Sequence, residues 1–480
     1  MNYGIIFYVI GWVLNFEAAF MLPSCITAFV YHEREGLALA AVAAASLLAG
    51  LLIIRKKPKS MSMYAREGFV TVAMCWIIMS AVGALPFVIA GAIPSYIDAI
   101  FETVSGFTTT GSSILPEVES MAHCLLFWRS FTHWIGGMGV LVFVMAVLPL
   151  AGGTNMYMMK AESPGPSVGK LVPRVKRTAV ILYGMYVGLS ILQLVFLLAG
   201  KMPVFDAMVT MFGTAGTGGF GIKNDSMGSY SPYIQWVVTV FMILFGVNFN
   251  LYYLLLARKF RAAAQCSECW YYSAIALAST AMIAINIFPI YGSVADAVRH
   301  SAFQVSSIMT TTGYTTADFN LWPQFSKVLL LLLMLVGACA GSTGGGLKVS
   351  RAVMLFKMIG GEVRKLLHPR SVSSVRFEGK TVDVATQKSV GNYFAIYIIC
   401  MAAVWLLLSL DAFDTETNLA ATISCFNNIG PALGAAGPAA SYAGYSLLSK
   451  AVLSLAMLLG RLEIFPLLLT LWPSTWTSKH

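Results

Sequence analysis

Four times along this chain a long apolar stretch is interrupted by a tight turn rich in threonine or glycine. The turns are Phe107-Thr108-Thr109-Thr110-Gly111, Ala215-Gly216-Thr217-Gly218-Gly219-Phe220, Met309-Thr310-Thr311-Thr312-Gly313-Tyr314 and Phe426-Asn427-Asn428-Ile429-Gly430-Pro431. Their central glycines lie roughly 95 to 120 residues apart, so one structural unit is used four times. Each turn is non-helical backbone at membrane depth, which lipid tolerates only where it lines a water- or ion-filled cavity. Four such loops about one axis can form a ring of carbonyl oxygens, the means by which a bare alkali cation is held.

Membrane depth follows from composition: 58% of the residues are hydrophobic and 11% charged, against about 25% charged in soluble domains. The formal charge of +10 is set by topology. Lys and Arg gather at Arg55-Lys56-Lys57-Lys59-Arg66, Lys160 to Arg177, Arg258-Lys259-Arg261 and Lys348 to Lys388. These clusters follow every second span, as the positive-inside rule requires, and this placement speaks against nucleic-acid binding. They put both termini and all four clusters on the cytoplasmic side of a plasma membrane, with the four turns toward the opposite face. The eight cysteines are scattered and imply no disulfide framework. Cys266-Ser-Glu-Cys269 is the one paired spacing, in an expected cytoplasmic loop. Met1 to Val30 reads as a retained first span.

The apolar runs predict an all-α polytopic membrane protein with ten spans, near 4–30, 36–54, 68–92, 122–150, 178–200, 233–257, 271–291, 326–357, 389–411 and 443–472. The first two form an N-terminal hairpin, residues 1–60. The other eight pair off around segments too short to cross a bilayer, 94–109, 202–216, 294–311 and 414–428, which read as re-entrant pore helices. This divides the chain into pore repeats 61–155, 156–262, 263–370 and 371–480. An even number of spans per repeat makes the repeats parallel, with a pseudo-fourfold axis along the membrane normal. Caps are expected at Asp206, at Ser293 or Asp296, and at Asp414 or Thr415. Helix C-termini aimed at a central cavity favour a cation there.

Glycine suits consecutive carbonyls that must point one way, because that geometry disfavours a Cβ. Threonine adds a stiff side chain whose hydroxyl ties the loop to its surroundings. The candidate ion-holding residues are therefore Thr109, Thr110 and Gly111; Thr217 and Gly218; Thr311, Thr312 and Gly313; and Asn428, Ile429 and Gly430.

These turns, with Arg129-Ser-Phe-Thr-His133-Trp134-Ile135-Gly136-Gly137-Met138-Gly139, Pro164-Gly165-Pro166, Gly341-Ser342-Thr343-Gly344-Gly345-Gly346-Leu347-Lys348 and Gly460-Arg461-Leu462-Glu463-Ile464-Phe465, resemble the Trk/Ktr/HKT superfamily of potassium transporters. The resemblance covers essentially the whole chain, and the N-terminal hairpin points to the TrkH branch. It implies four fused two-span channel-like units, K+ bound in the turns, and a bacterial inner-membrane location. It also implies a homodimer docked to a TrkA-type cytoplasmic nucleotide-binding subunit. The fourth turn departs from the pattern, with Asn428-Ile429-Gly430 in place of Thr-Gly. Relatives with serine in the first turn tend to pass sodium, so Gly111 argues for potassium.

Gly341, Ser342, Thr343, Gly344, Gly345 and Gly346 interrupt the 326–357 run. A phosphate loop would need lysine directly after glycine, but Leu347 separates Gly346 from Lys348. A broken helix lining the pore fits better, and the resemblance implies that such a loop gates. Arg461 lies midway along the last span; it either pairs with Glu463 or a helix carbonyl, or projects a positive charge below the ring. Glu17 reads as a structural hydrogen-bonding residue and His133 as packing. No catalytic set is clustered, so no enzyme activity or cofactor is expected beyond the transported K+. A secondary transporter of another cation or small solute is the rival reading, and channel-like or H+- or Na+-coupled transport both stay open.

Overall fold

The computed structural model describes residues 1–58, 60, 63–139, 175–369 and 374–476. Pro164-Gly165-Pro166, Lys160 to Arg174 of the second basic cluster, Lys59, Arg370 and the 140–150 part of the fourth expected span lie outside the described residues. Among the described residues the chain is helical apart from a two-residue hairpin pairing Arg376–Phe377 with Lys380–Thr381.

The N-terminal hairpin is α1 (Tyr3–Tyr31) and α2 (Gly36–Ile54), apolar on every side, as a helix bathed in lipid must be. Next come α3 (Ala65–Ile89), the short α4 (Tyr96–Phe107) and α5 (His123–Gly137). Then follow α6 (Val175–Ala199), the short α7 (Val204–Ala215), α8 (Pro232–Gly246), α9 (Phe249–Leu256) and a single turn, α10 (Phe260–Ala264). The third group is α11 (Ser267–Tyr291), the short α12 (Val294–Met309), α13 (Gln324–Val336) and α14 (Val349–Leu367). The last is α15 (Val384–Leu408), the short α16 (Thr415–Phe426), α17 (Leu447–Arg461) and α18 (Phe465–Leu471). Six described helices are long and apolar enough to span a bilayer, and seven if the bent pair α8–α9 counts as one.

Two spans expected to be continuous are broken, and the 326–357 run breaks at its glycine-rich stretch as expected. Residues 233–257 bend by 89° between α8 and α9, where Asn248 leaves the helix and caps the next one through the Asn250 N–H. The run 326–357 opens into a loop, Gly337 to Lys348, between α13 and α14. The last span stops at Glu463 and Ile464, which have φ of 54° and 66°. Apolar composition fixes membrane depth but is blind to a break whose backbone groups are satisfied by neighbouring protein.

The short helices set the architecture. Each is packed by the helix that follows it, and that helix also packs against the next short helix: α5 on α4 and α7, α8 on α7 and α12, α13 on α12 and α16, and α17 on α16 and α4. The last contact closes the circle, so the four short helices stand around a common centre. Side chains such as Leu277, Ile285 and Leu406 remain exposed on the outside, where lipid is the solvent.

Candidate functional site: four turns in a closed ring

Each short helix ends in the same backbone motif. The residue after the C-cap takes a left-handed conformation, with φ of 56° at Thr109, 55° at Thr217, 58° at Thr311 and 57° at Asn428. Two residues later comes a glycine with positive φ: Gly111 at 84°, Gly219 at 75°, Gly313 at 86° and Gly430 at 107°. The left-handed position usually belongs to glycine or asparagine, and threonine there stores roughly 1–3 kcal/mol of strain. Strain of this kind persists only where packing over-determines it, and all four residues are fully buried.

The motif turns N–H groups inward to the helix and carbonyls outward. Thr110, Gly218 and Thr312 each donate their N–H to the carbonyl five residues back at 2.8 Å, and Ile429 does so at 3.0 Å. In a trans peptide the preceding carbonyl points the opposite way, so the oxygens of Thr109, Thr217, Thr311 and Asn428 leave their own helices.

The turns interlock in chain order. A Cβ added at Gly111 would overlap the Gly218 carbonyl oxygen, one at Gly219 the Thr312 oxygen, and one at Gly313 the Ile429 oxygen; at Gly430 it would come within 2.8 Å of the Thr110 oxygen. Each glycine therefore seats the carbonyl of the adjoining turn, and the fourth turn returns to the first. Gly111, Gly219, Gly313 and Gly430 together line one open cavity of about 270 Å³.

The register adds a residue to the expected set. In the second turn Gly219, absent from the expected set, occupies the place of Gly111, Gly313 and Gly430, while Gly218 corresponds to Thr110. The pattern was readable, because Thr217-Gly218-Gly219 aligns residue for residue with Thr109-Thr110-Gly111. In the fourth turn the Gly430 oxygen already accepts from Ser112 Oγ at 3.1 Å, Ser424 Oγ at 3.0 Å and Tyr442 Oη at 2.9 Å. Three hydroxyls saturate its lone pairs, leaving it the least available oxygen of the expected set.

Supporting residues brace one turn against another. Arg129 Nε bonds Glu102 at 2.6 Å, Arg129 Nη1 donates to the Gly221 carbonyl at 3.0 Å, and Glu102 accepts the Ile114 N–H at 2.9 Å. The guanidinium also lies 3.5 Å over the Phe220 ring. This fully buried pair ties the strands leaving turns one and two. His133 is more than packing: Nδ1 donates to the Gly106 carbonyl at 2.8 Å and Nε2 accepts from the Phe220 N–H at 3.3 Å. Those partners fix the neutral tautomer protonated on Nδ1. Asn428 Nδ2 bonds Thr110 Oγ1 and the Met457 carbonyl, both at 2.9 Å, linking turn four to turn one. Among the expected caps, Ser293 and Asp414 serve, whereas Pro203 precedes α7 and Asp206 instead accepts from Tyr230 Oη at 2.9 Å. Ser95, not anticipated, caps α4. Glu17 makes no hydrogen bond: both carboxylate oxygens are buried without a partner among the described residues, contrary to its expected role.

The Gly337–Lys348 loop lies directly beneath the ring. The Gly345 N–H donates to Thr311 Oγ1 at 2.7 Å. A Cβ on Gly344 would come within 2.9 Å of the Thr310 carbonyl oxygen, and one on Gly345 within 2.6 Å of the Asn427 oxygen. Gly341 accepts from the Phe249 N–H at 3.0 Å, Ser342 Oγ donates to the Cys339 carbonyl at 2.7 Å, and Thr343 Oγ1 reaches the Phe245 carbonyl at 3.2 Å. Gly346 takes φ of 78° and Lys348, also left-handed at 77°, folds its ammonium back onto the Gly344 carbonyl. Arg461 donates to the Thr343 carbonyl at 2.9 Å and to the carbonyls of Gly136 and Gly137. Glu463 is held by Arg351 through two bonds of 3.1 and 2.6 Å. Lys348 and Arg461 thus both border a cavity of about 90 Å³ below the ring, with Gly344, Gly345 and Gly346 on its wall.

Sequence reading passed over Glu268. Its Oε1 accepts the N–H of Ala340 at 2.8 Å and of Ser350 at 3.1 Å, clasping both ends of the loop. The available signal was a carboxylate at the mouth of an apolar span, which costs free energy unless it is partnered.

Comparison with known proteins agrees over the whole length. The family model described as TrkH, cation transport protein, matches residues 37–272 and 289–478. The chain is 33% identical to the Trk system potassium uptake protein TrkH of Salmonella typhimurium over 484 residues, covering 99% of this chain and 100% of that protein. It is likewise 33% identical to TrkG of Escherichia coli, with 99% of each covered. The crystal structure of the potassium transporter TrkH from Vibrio parahaemolyticus superposes with a TM-score of 0.89 at 31% identity, over 99% of this chain and all of that one.

Proposed function

This chain belongs to the TrkH family of cation transport proteins as a multi-pass Trk-type potassium transporter subunit, not an enzyme, and we propose that it takes up K+ through the ring of four turns. The observation that carries this reading is the interlock, in which each turn's glycine seats the next turn's carbonyl and the fourth closes on the first. Carbonyl oxygens at Thr109 and Thr110, Thr217 and Gly218, Thr311 and Thr312, and Asn428 and Ile429 would replace the water around a dehydrated ion. The C-terminal ends of α4, α7, α12 and α16 add partial negative charge from four sides. The chain is then an N-terminal hairpin, 1–60, followed by pore units 61–155, 156–262, 263–370 and 371–480.

The loop from Gly341 to Gly346 is the gate in this reading. It occupies the space under turns three and four, and Lys348 and Arg461 place two cationic groups where a permeating cation would emerge. Both positive charges raise the barrier to K+ while the loop is docked. Withdrawal of the loop would be driven by a TrkA-type nucleotide-binding subunit on the cytoplasmic face of a homodimer in the bacterial inner membrane, with both termini cytoplasmic.

Growth of a potassium-uptake-deficient bacterium at low external K+ tests the function. The protein, expressed with its regulatory partner and shown to reach the membrane, restores growth. Absence of rescue under those conditions would overturn the reading.

A further inference from the structure

Two features outside the transport machinery meet at the base of the loop. Cys266 and Cys269 sit on the first turn of α11 with their sulfurs 3.2 Å apart, and both are half-buried, within reach of solvent. Between them in sequence lies Glu268, whose carboxylate holds the N–H groups of Ala340 and Ser350. Cys339, a residue of the loop, is anchored through its N–H on the Gly246 carbonyl at 3.0 Å. A dithiol thus brackets a side chain that ties the Ala340 and Ser350 ends of the loop together.

We propose that Cys266 and Cys269 form a reversible disulfide that locks the Glu268 clasp and holds the loop under the ring, making flux redox-sensitive. The gating half of this proposal rests on the reading of 341–346 as the gate. The chemistry is thiol–disulfide exchange with a small disulfide such as glutathione disulfide. The Cys266 thiolate attacks one sulfur of the reagent, forming a mixed disulfide with it, and the S–S bond of the reagent breaks so that its other sulfur leaves as a thiolate and takes up a proton. The Cys269 thiolate then displaces the second thiol, so the pair loses two electrons and two protons and the reagent gains them.

Geometry favours closure without rearrangement. The sulfurs need to approach only from 3.2 Å to about 2.05 Å. N-cap and N3 positions of one helical turn lie within the Cα spacing a disulfide accepts. The hydrogen bond between the two thiols and burial hold the Cys266 thiol above its ordinary value, outweighing the Cys269 N–H, which favours the thiolate, so closure needs an excess of the disulfide reagent. Closing the bridge removes the side-chain freedom of Cys266 and Cys269 and fixes the turn that carries Glu268. Because the loop is already docked in this geometry, the bridge favours the docked state. The basic residues Arg258, Lys259 and Arg261 just precede the pair. On the cytoplasmic side they mark, thiols are normally reduced, so the disulfide would form under oxidative stress.

The test uses the full-length protein in vesicles, treated with glutathione disulfide or with dithiothreitol. Oxidation is expected to join Cys266 to Cys269, seen as loss of two alkylatable thiols in the peptide that contains them. It should slow Rb+ influx by at least about fivefold, slow amide exchange across residues 338–350, and be reversed by dithiothreitol. The double variant C266S/C269S should keep the reduced rate and ignore the oxidant. E268Q should still form the bridge but lose most of the effect on influx and exchange. Free thiols after oxidation, a Cys269–Cys339 bridge instead, or a bridge that leaves exchange across 338–350 unchanged would each overturn the proposal. Slowed exchange with unchanged influx would instead sink the assignment of the loop as gate.

Discussion

The Gly345 N–H and the Thr311 hydroxyl oxygen meet at 2.7 Å, and through this contact the loop below the ring bonds directly to a residue of the ring. Thr311 is also the strained, left-handed residue of the third turn. One residue therefore belongs both to the element that would hold the ion and to the element that would release it. Thr311→Val keeps the shape and removes the acceptor, leaving the Gly345 N–H buried without a partner. The loss of about 1 kcal/mol should raise K+ flux in the absence of a regulatory partner roughly fivefold. Flux equal to wild type in vesicles would show that this bond does not hold the loop.

Gly313 has no room for a side chain, because a Cβ would overlap the Ile429 carbonyl oxygen and φ is 86°. Gly313→Ser should displace that oxygen and degrade discrimination of Rb+ over Na+ by about tenfold, a difference of roughly 1.4 kcal/mol. Gly188→Ala is the control, since its Cβ meets nothing within 4 Å. Equal Rb+-to-Na+ flux ratios in the two variants would remove Gly313 from the ion path.

Arg461 reaches the Thr343 carbonyl from below at 2.9 Å. Arg461→Gln should both loosen the loop and remove a positive charge from the exit, so flux without the partner should increase while ion preference is kept. A loss of preference together with raised flux, measured with Rb+ and Na+, would mean that the side chain supports the ring instead.

Glu102 and Arg129 form a fully buried ion pair behind turns one and two. Glu102→Gln leaves the guanidinium uncompensated and should cost on the order of 3–5 kcal/mol of stability. A thermal-unfolding scan in detergent reads this directly, and a midpoint unchanged from wild type would show that the pair contributes nothing net.

Glu33, in the loop joining α1 and α2, tests acid sensitivity at the hairpin. Burial raises its carboxyl pKa, but the N–H groups of Cys124 and His123 and the His123 ring outweigh that and hold it below the ordinary value. The stabilisation is therefore present above the unfolded value of about 4.3 and is lost as pH falls through the lowered folded value. The protection of the amides at the start of α5, taken relative to the intrinsic exchange rate at each pH, should fall below about pH 4 in the wild type. In Glu33→Gln that protection should be low at neutral pH already and vary little with acidification.

Much of this was legible in the sequence because lipid leaves few options for the backbone. Apolar run length marked the starts of the spans and the four short helices to within a few residues, and the threonine-glycine turns marked where the short helices end. The break at Asn248 was not legible, since the Phe249 N–H and the Gly246 carbonyl pair with Gly341 and Cys339 far along the chain. At Glu463 the backbone closes locally on Gly460 and Leu459, but its side chain is held by the distant Arg351. The same reason hid Glu268, whose partners Ala340 and Ser350 come from another helix pair. Gly219 is hidden for a simpler reason: two adjacent glycines, Gly218 and Gly219, stand where the first and third turns have one, and only the register of the turns tells them apart. The saturation of the Gly430 oxygen by Ser112, Ser424 and Tyr442 depends wholly on tertiary structure.

The central claim is that one ring of carbonyl oxygens holds the ion, and anomalous X-ray diffraction from crystals grown in Rb+ tests it most directly. The account predicts an anomalous peak on the axis among the oxygens of Thr110, Gly218, Thr312 and Ile429, weakened in Gly313→Ser crystals. Crystals of the wild type with Rb+ bound elsewhere along the chain and no peak among those four oxygens would contradict it.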